Sequence, residues 1–122
     1  MGIDVLIVDD LTFIKMVLRD LVEKAGFRVV GEASDGVEAL NQFRDKRPDV
    51  VLLDITMPKM DGLSTLRKML EIDPRANIIM CSALGQQQLI LQAIQQGAKD
   101  FIVKPFRPER VISAIKKTLN IE

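Results

Sequence analysis

The 122-residue chain contains no histidine. That absence removes Ser–His and Cys–His nucleophile pairs, every histidine-based metal site and any phosphohistidine on the chain itself. Chemistry must then rest on carboxylates, lysines, hydroxyls and the backbone. A single cysteine, Cys81, excludes an internal disulfide and fits a reducing, cytoplasmic compartment. It lies in the apolar run "NIIMC", where a small core residue is expected rather than a reactive thiol. No apolar stretch approaches the roughly 20 residues of a membrane helix. No basic segment followed by an apolar one marks a secretory signal at the N-terminus. Excess charge is also missing: 17 Lys and Arg balance 17 Asp and Glu without a basic stripe, which argues against a nucleic-acid-binding domain.

What is present is a regular alternation. Five apolar runs, "DVLIV" (4–8), "RVVGEA" (28–33), "DVVLL" (49–53), "NIIMC" (77–81) and "DFIVK" (100–104), read as strands. Amphipathic segments follow them, with apolar residues three and four apart. Ile14, Val17, Leu18 and Leu21 line the first, and Val37, Leu40 and Phe43 the second. Leu63, Leu66, Met69 and Leu70 line the third, Ile90, Ala93 and Ile94 the fourth, and Ile112, Ile115 and Leu119 the fifth. Gly26, Gly36, Pro48, Pro74, Gly85 and Gly97 fall between these segments, and Pro108 suits the first turn of the last helix. The expected architecture is an α/β domain with a mainly parallel sheet and right-handed crossovers. With no repeat, linker or low-complexity segment, residues 1–122 are expected to form one domain without an output domain.

Ligands of open α/β sheets bind beyond the carboxyl ends of the strands. Asp9 and Asp10 follow the first run, Asp54 the third and Ser82 the fourth, while Lys104 ends the fifth. Two adjacent carboxylates at the edge of a core repel each other by on the order of 4 kcal/mol at about 4 Å and an effective dielectric of 20. A divalent cation relieves that repulsion, and an all-oxygen donor set suits magnesium. Each residue also has a plainer reading. Asp9 or Asp10 could cap a helix starting near Thr12, Asp54 could open a turn toward Pro58, Ser82 could cap the fourth helix, and Lys104 could be a solvated charge. Together they suit phosphoryl transfer: Asp54 as the central nucleophile, Asp9 and Asp10 as a metal-binding pair, Lys104 as charge neutraliser and Ser82 as hydrogen-bond donor.

The stretches "VLIVDD", "VVLLDITMPKMDG", "MCSA" and "GAKDFIVKPF" carry a resemblance over the whole chain to the receiver domains of two-component response regulators, in particular the single-domain chemotaxis (CheY-like) branch. The resemblance implies a doubly wound, flavodoxin-like (βα)5 fold of five parallel strands in the order 2-1-3-4-5. It implies phosphorylation of Asp54, with magnesium held by Asp9, Asp10, Asp54 and the backbone carbonyl of Thr56. Lys104 and Ser82 contact the phosphoryl group, with a cis peptide bond expected between Lys104 and Pro105, and Phe101 occupies the switch position. Thr56 and Leu84 tune phosphoryl lifetime. The implied donor is a histidine kinase of the CheA type. The face of helix 4, strand 5 and helix 5 then binds a flagellar motor switch protein or a phosphatase of the phosphorylated receiver. Such a receiver is a cytoplasmic monomer that turns over no external substrate and binds neither nucleic acid nor membrane.

Some residues depart from the common pattern. Leu11 and Lys15 stand where a small or polar residue and an arginine are frequent, and Phe101 lacks a phenolic hydroxyl, so any switch there acts by packing and rotamer alone; taken by itself, Phe101 reads equally as an edge-strand core aromatic. Leu84 cannot hydrogen-bond an attacking water, so slow self-dephosphorylation is expected. The uncharged, glutamine-rich stretch "GQQQLILQAIQQG" beside Phe101 and Phe106 is either a solvated face or the partner surface. Competing readings are a haloacid-dehalogenase-type, magnesium-dependent phosphatase, disfavoured because Thr56 replaces its second aspartate, and a flavodoxin-like binding module, disfavoured because "DD" repels phosphate. A receiver in another phosphorelay, or one cut from a larger regulator, is the nearest alternative.

Overall fold

The computed structural model describes residues 2–122. Five strands and five helices alternate: β1 (Asp4–Val8), α1 (Thr12–Lys24), β2 (Arg28–Ala33), α2 (Gly36–Lys46), β3 (Val50–Asp54), α3 (Gly62–Ile72), β4 (Ile78–Ser82), α4 (Gln87–Gln96), β5 (Asp100–Val103) and α5 (Pro108–Thr118). The strands form one parallel sheet in the order β2-β1-β3-β4-β5, the expected flavodoxin-like arrangement.

Side chains alternate across each strand, and helices cover both faces, which is why the inner strands β1, β3 and β4 carry near-continuous apolar runs, whereas the edge strand β2 includes Arg28 and Glu32. Leu6, Val8, Val51 and Leu53 point to one face and pack with Leu40 and Phe43 of α2, Leu66 and Met69 of α3 and Ala93 of α4. Val5, Ile7, Val50 and Leu52 point to the other, against Leu18 and Val22 of α1 and Val111 and Ile115 of α5. Each of the larger side chains stabilises the fold by about 1.5–3 kcal/mol. Cys81 belongs to the second cluster and is buried, as expected.

Several boundaries differ from the sequence expectation. β3 and β4 start and end one residue later, because pairing of Asp54 with Cys81 and of Ser82 with Val103 extends the ladder. Asp54 and Ser82 are therefore the last residues of their strands, held by the sheet rather than by loops. Gly36 is the first residue of α2, capped by Asp35, and not a linker. Val37 and Ile94, expected on buried faces, are exposed, because Ala39, Leu40 and Phe43 cover the sheet in α2 and Ala93 does so in α4. Neither Asp9 nor Asp10 caps α1: Leu11 holds that position without a side-chain cap. Ser82 likewise does not cap α4, where Gln86 precedes the first turn. Pro108 does open α5.

Candidate functional site

At the carboxyl edge of the sheet, strands β1, β3 and β5 deliver side chains at or just beyond their ends to one place. Asp9 follows β1, its backbone N–H donating to the Ala33 carbonyl at 3.0 Å, which fixes it against β2. Asp54 ends β3, and the next residue, Ile55, donates to the Cys81 carbonyl at 3.0 Å. Lys104 follows β5, with its N–H on the Ser82 carbonyl at 2.8 Å and a cis bond to Pro105, as expected. From that anchor the Lys104 ammonium lies 3.0 Å from Asp9 Oδ2 and 3.4 Å from Asp54 Oδ1. Asp9, Asp54 and Ser82 are buried, while Asp10 is exposed at the rim.

The electrostatics follow from this burial. Loss of hydration, then repulsion from Asp9, pushes the Asp54 carboxyl from its ordinary 3.8 up to about 6, with the Lys104 charge and the Thr56 N–H opposing. Burial alone would pull the Lys104 ammonium down, but its contact with Asp9 and the Asp54 charge outweigh it and hold the group raised. Burial, then the charges of Asp54 and Asp9, push the Cys81 thiol well up, which leaves it protonated and inert.

Asp9, Asp10 and Asp54 each offer one carboxylate oxygen within 4.8 Å of the others. Two buried atoms here lack a hydrogen-bond partner, Asp9 Oδ2 and Ser82 Oγ. Asp9 Oδ2 meets Lys104 by charge alone, off the hydrogen-bonding direction. Buried polar atoms without partners are costly, and here both belong to residues at the carboxyl edge of the sheet, Asp9 being one of the three clustered acids. The donor set, hard and all-oxygen, fits a small divalent cation; no nitrogen or sulfur ligand is among them.

The remaining expected residues lie further out. Thr56 is exposed in the β3–α3 loop, and its hydroxyl accepts from Gln86 Nε2 at 3.1 Å. Leu84 is 81% exposed in the β4–α4 loop. Phe101, in β5 opposite Met80, faces a groove formed with Leu84, Ile90, Leu91 and Ile94. The Arg110 guanidinium sits 5.9 Å over its ring and donates to its carbonyl at 2.6 Å. Phe106 does not join this groove but packs with the α1–α5 side of the core. Lys15 donates to the Ser34 hydroxyl.

Sequence reasoning missed two residues. A Cβ on Gly62 would lie 2.2 Å from the Asp54 carbonyl oxygen and 2.6 Å from the Ile55 Cα, and its N–H holds the Ile55 carbonyl at 2.7 Å. The "MDG" triplet hinted at a turn but not at this close approach to the segment carrying Asp54. Gln86 was hidden in a run of glutamines.

The family model for the response regulator receiver domain matches residues 5–116. The chain belongs to that family. The chemotaxis protein CheY of Thermotoga maritima is 52% identical over 96% of this chain and 98% of its own length. CheY of Bacillus subtilis is 53% identical over 95% of this chain and 97% of its own. A Borrelia burgdorferi CheY, solved in a complex with CheX, beryllium fluoride and magnesium, superposes with a TM-score of 0.90 at 41% identity, over 94% of this chain and 87% of that one. Within the receivers, this chain is therefore closely related to the CheY chemotaxis proteins. That membership sets aside the phosphatase and flavodoxin-like readings.

Proposed function

We propose that this chain is a single-domain chemotaxis response regulator that accepts a phosphoryl group on Asp54 from a histidine kinase of the CheA type. One observation carries the reading: the Asp54 carboxylate is buried at a strand end, faces Asp9 and is within 3.4 Å of the Lys104 ammonium. An Asp54 oxygen attacks the phosphorus of a phosphohistidine, the P–N bond breaks, and the imidazole nitrogen leaves with the electron pair. Lys104 balances charge on the phosphoryl oxygens, and the partnerless Ser82 hydroxyl donates to one of them. Asp9, Asp10, Asp54 and the Thr56 carbonyl would hold magnesium, which supplies charge neutralisation when bound.

Addition of the phosphoryl group shifts a pre-existing equilibrium in the face of α4, β5 and α5, where Phe101 is half-buried. That face then binds a flagellar motor switch protein or a CheY phosphatase in the cytoplasm. The chain acts as a monomer, promoting only its own phosphorylation and dephosphorylation. The test is phosphotransfer from phosphorylated CheA, with and without magnesium, comparing wild type with Asp54→Asn. Label confined to wild type and dependent on magnesium is expected; equal labelling of both proteins refutes the assignment. A receiver of another phosphorelay is the second reading, since NtrX of Brucella abortus, of which the match spans only 27%, has a receiver segment that superposes with a TM-score of 0.93. Binding of the phosphorylated protein to a flagellar switch peptide favours chemotaxis, and its absence favours the relay.

A further inference from the structure

The β3–α3 and β4–α4 loops, which flank Asp54, are tied together by one side chain. Gln86 Oε1 accepts from the Ala83 backbone N–H at 2.7 Å, and Gln86 Nε2 donates to the Thr56 hydroxyl at 3.1 Å. Thr56 lies two residues beyond Asp54, and Ala83 directly follows Ser82, whose buried hydroxyl has no partner. Gln86 also occupies the N-cap position of α4, yet its side chain makes no bond to that helix's free N–H groups. In α2 and α3 an aspartate does so, Asp35 accepting from Glu38 and Asp61 from Ser64. The polar reach at the start of α4 is thus spent on the two loops around Asp54 and not on the helix.

We propose that Gln86 is a positioning residue: it straps the two loops together before phosphorylation, and phosphorylation breaks the strap and frees the first turn of α4. The proposal rests on the reading of Asp54 as the phosphoryl acceptor. A phosphoryl group brings three acceptor oxygens to Asp54. Drawing the partnerless Ser82 hydroxyl toward them moves the chain at Ala83, the residue that holds one end of the strap. Release of that end also frees Thr56, so that both ties of the Gln86 side chain, to Ala83 and to Thr56, are lost at the start of α4. The chemical state of Asp54 thereby reaches the groove where Ile90, Leu91 and Ile94 face Phe101. In the other direction, the strap restrains the loops that must move for phosphorylation, so its loss speeds the reaction.

Amide hydrogen exchange at Ala83, read by NMR in the unphosphorylated protein, reports the strap without reference to phosphorylation. Gln86→Ala is expected to accelerate it about two- to tenfold, the range of a net hydrogen bond. Gln86→Glu, which keeps the acceptor for the Ala83 N–H, is expected to restore most of the protection. Labelling of Asp54 by acetyl phosphate is expected to quicken by a similar factor in Gln86→Ala and in Thr56→Val. The double variant should gain no more than the larger single change, because both remove one strap. Unchanged Ala83 exchange in Gln86→Ala, or rate gains that multiply in the double variant, would overturn the proposal. If wild type takes no label while the exchange still accelerates, the acceptor reading falls and the coupling falls with it, but the strap itself stands.

Discussion

Replacing Asp54 by asparagine keeps the shape of the side chain and removes a charge that the fold holds at a cost. The carboxyl titrates at about 6 in the folded protein against an ordinary value of 3.8, because it is 3% exposed and faces Asp9. Ionising it in the fold is therefore less favourable than in the unfolded chain. At about pH 7.5 the difference amounts to about 3 kcal/mol, taking about 1.4 kcal/mol for each tenfold change in the ionisation constant. The attraction of Lys104 is already contained in that balance. A carboxyl raised in the fold contributes its stability in full below 3.8, and that contribution is lost as pH rises through about 6. Without metal, Asp54→Asn should accordingly be more stable than wild type by about 2–3 kcal/mol near neutral pH. The gap should shrink toward zero near pH 4. Urea unfolding in EDTA across that range, scored as the difference between the two proteins, cancels every titration away from the site. Adding magnesium should narrow the gap at neutral pH, since a cation that binds only the folded wild type stabilises it by mass action. An asparagine variant that is less stable at neutral pH, or a gap independent of pH, would refute the account of Asp54 as a buried, repelled carboxylate.

Removal of the ammonium should act in the opposite sense. Lys104→Met leaves Asp9 and Asp54 without their cation, and urea unfolding in EDTA at neutral pH should show a loss of about 2–4 kcal/mol. Gly62→Ala drives a methyl against the backbone at Asp54 and Ile55, and should cost about 1–3 kcal/mol or more in thermal unfolding. Leu84→Glu places a carboxylate at an 81% exposed position of the β4–α4 loop. It should speed loss of the phosphoryl label on the order of tenfold, less than a fully positioned base supplies; an unchanged decay rate would remove Leu84 from the lifetime-tuning residues.

The sequence by itself determined the order of elements and which residues could share an edge. Alternating apolar runs and helical spacings demand a sheet covered on both faces, and in such a sheet the strand ends are where polar groups can converge. The absence of histidine restricted the chemistry to oxygen donors and lysine, and the acids at strand ends named the candidates. The register of the strands was decided only in three dimensions. Pairing of Asp54 with Cys81 and of Ser82 with Val103 turned two residues read as following their strands into the last members of the sheet. Local pattern cannot report this, because a ladder ends where its neighbour stops pairing. Burial of Asp54, which raises its carboxyl, also depends on what surrounds it rather than on its own neighbours in sequence. The same holds for Gly62, whose missing side chain matters because a Cβ there would lie 2.2 Å from the Asp54 carbonyl oxygen, well inside van der Waals contact, and for Gln86, whose partner Thr56 lies thirty residues away. Periodicity reports the face a residue occupies; distances between loops come only from the packing of the whole chain.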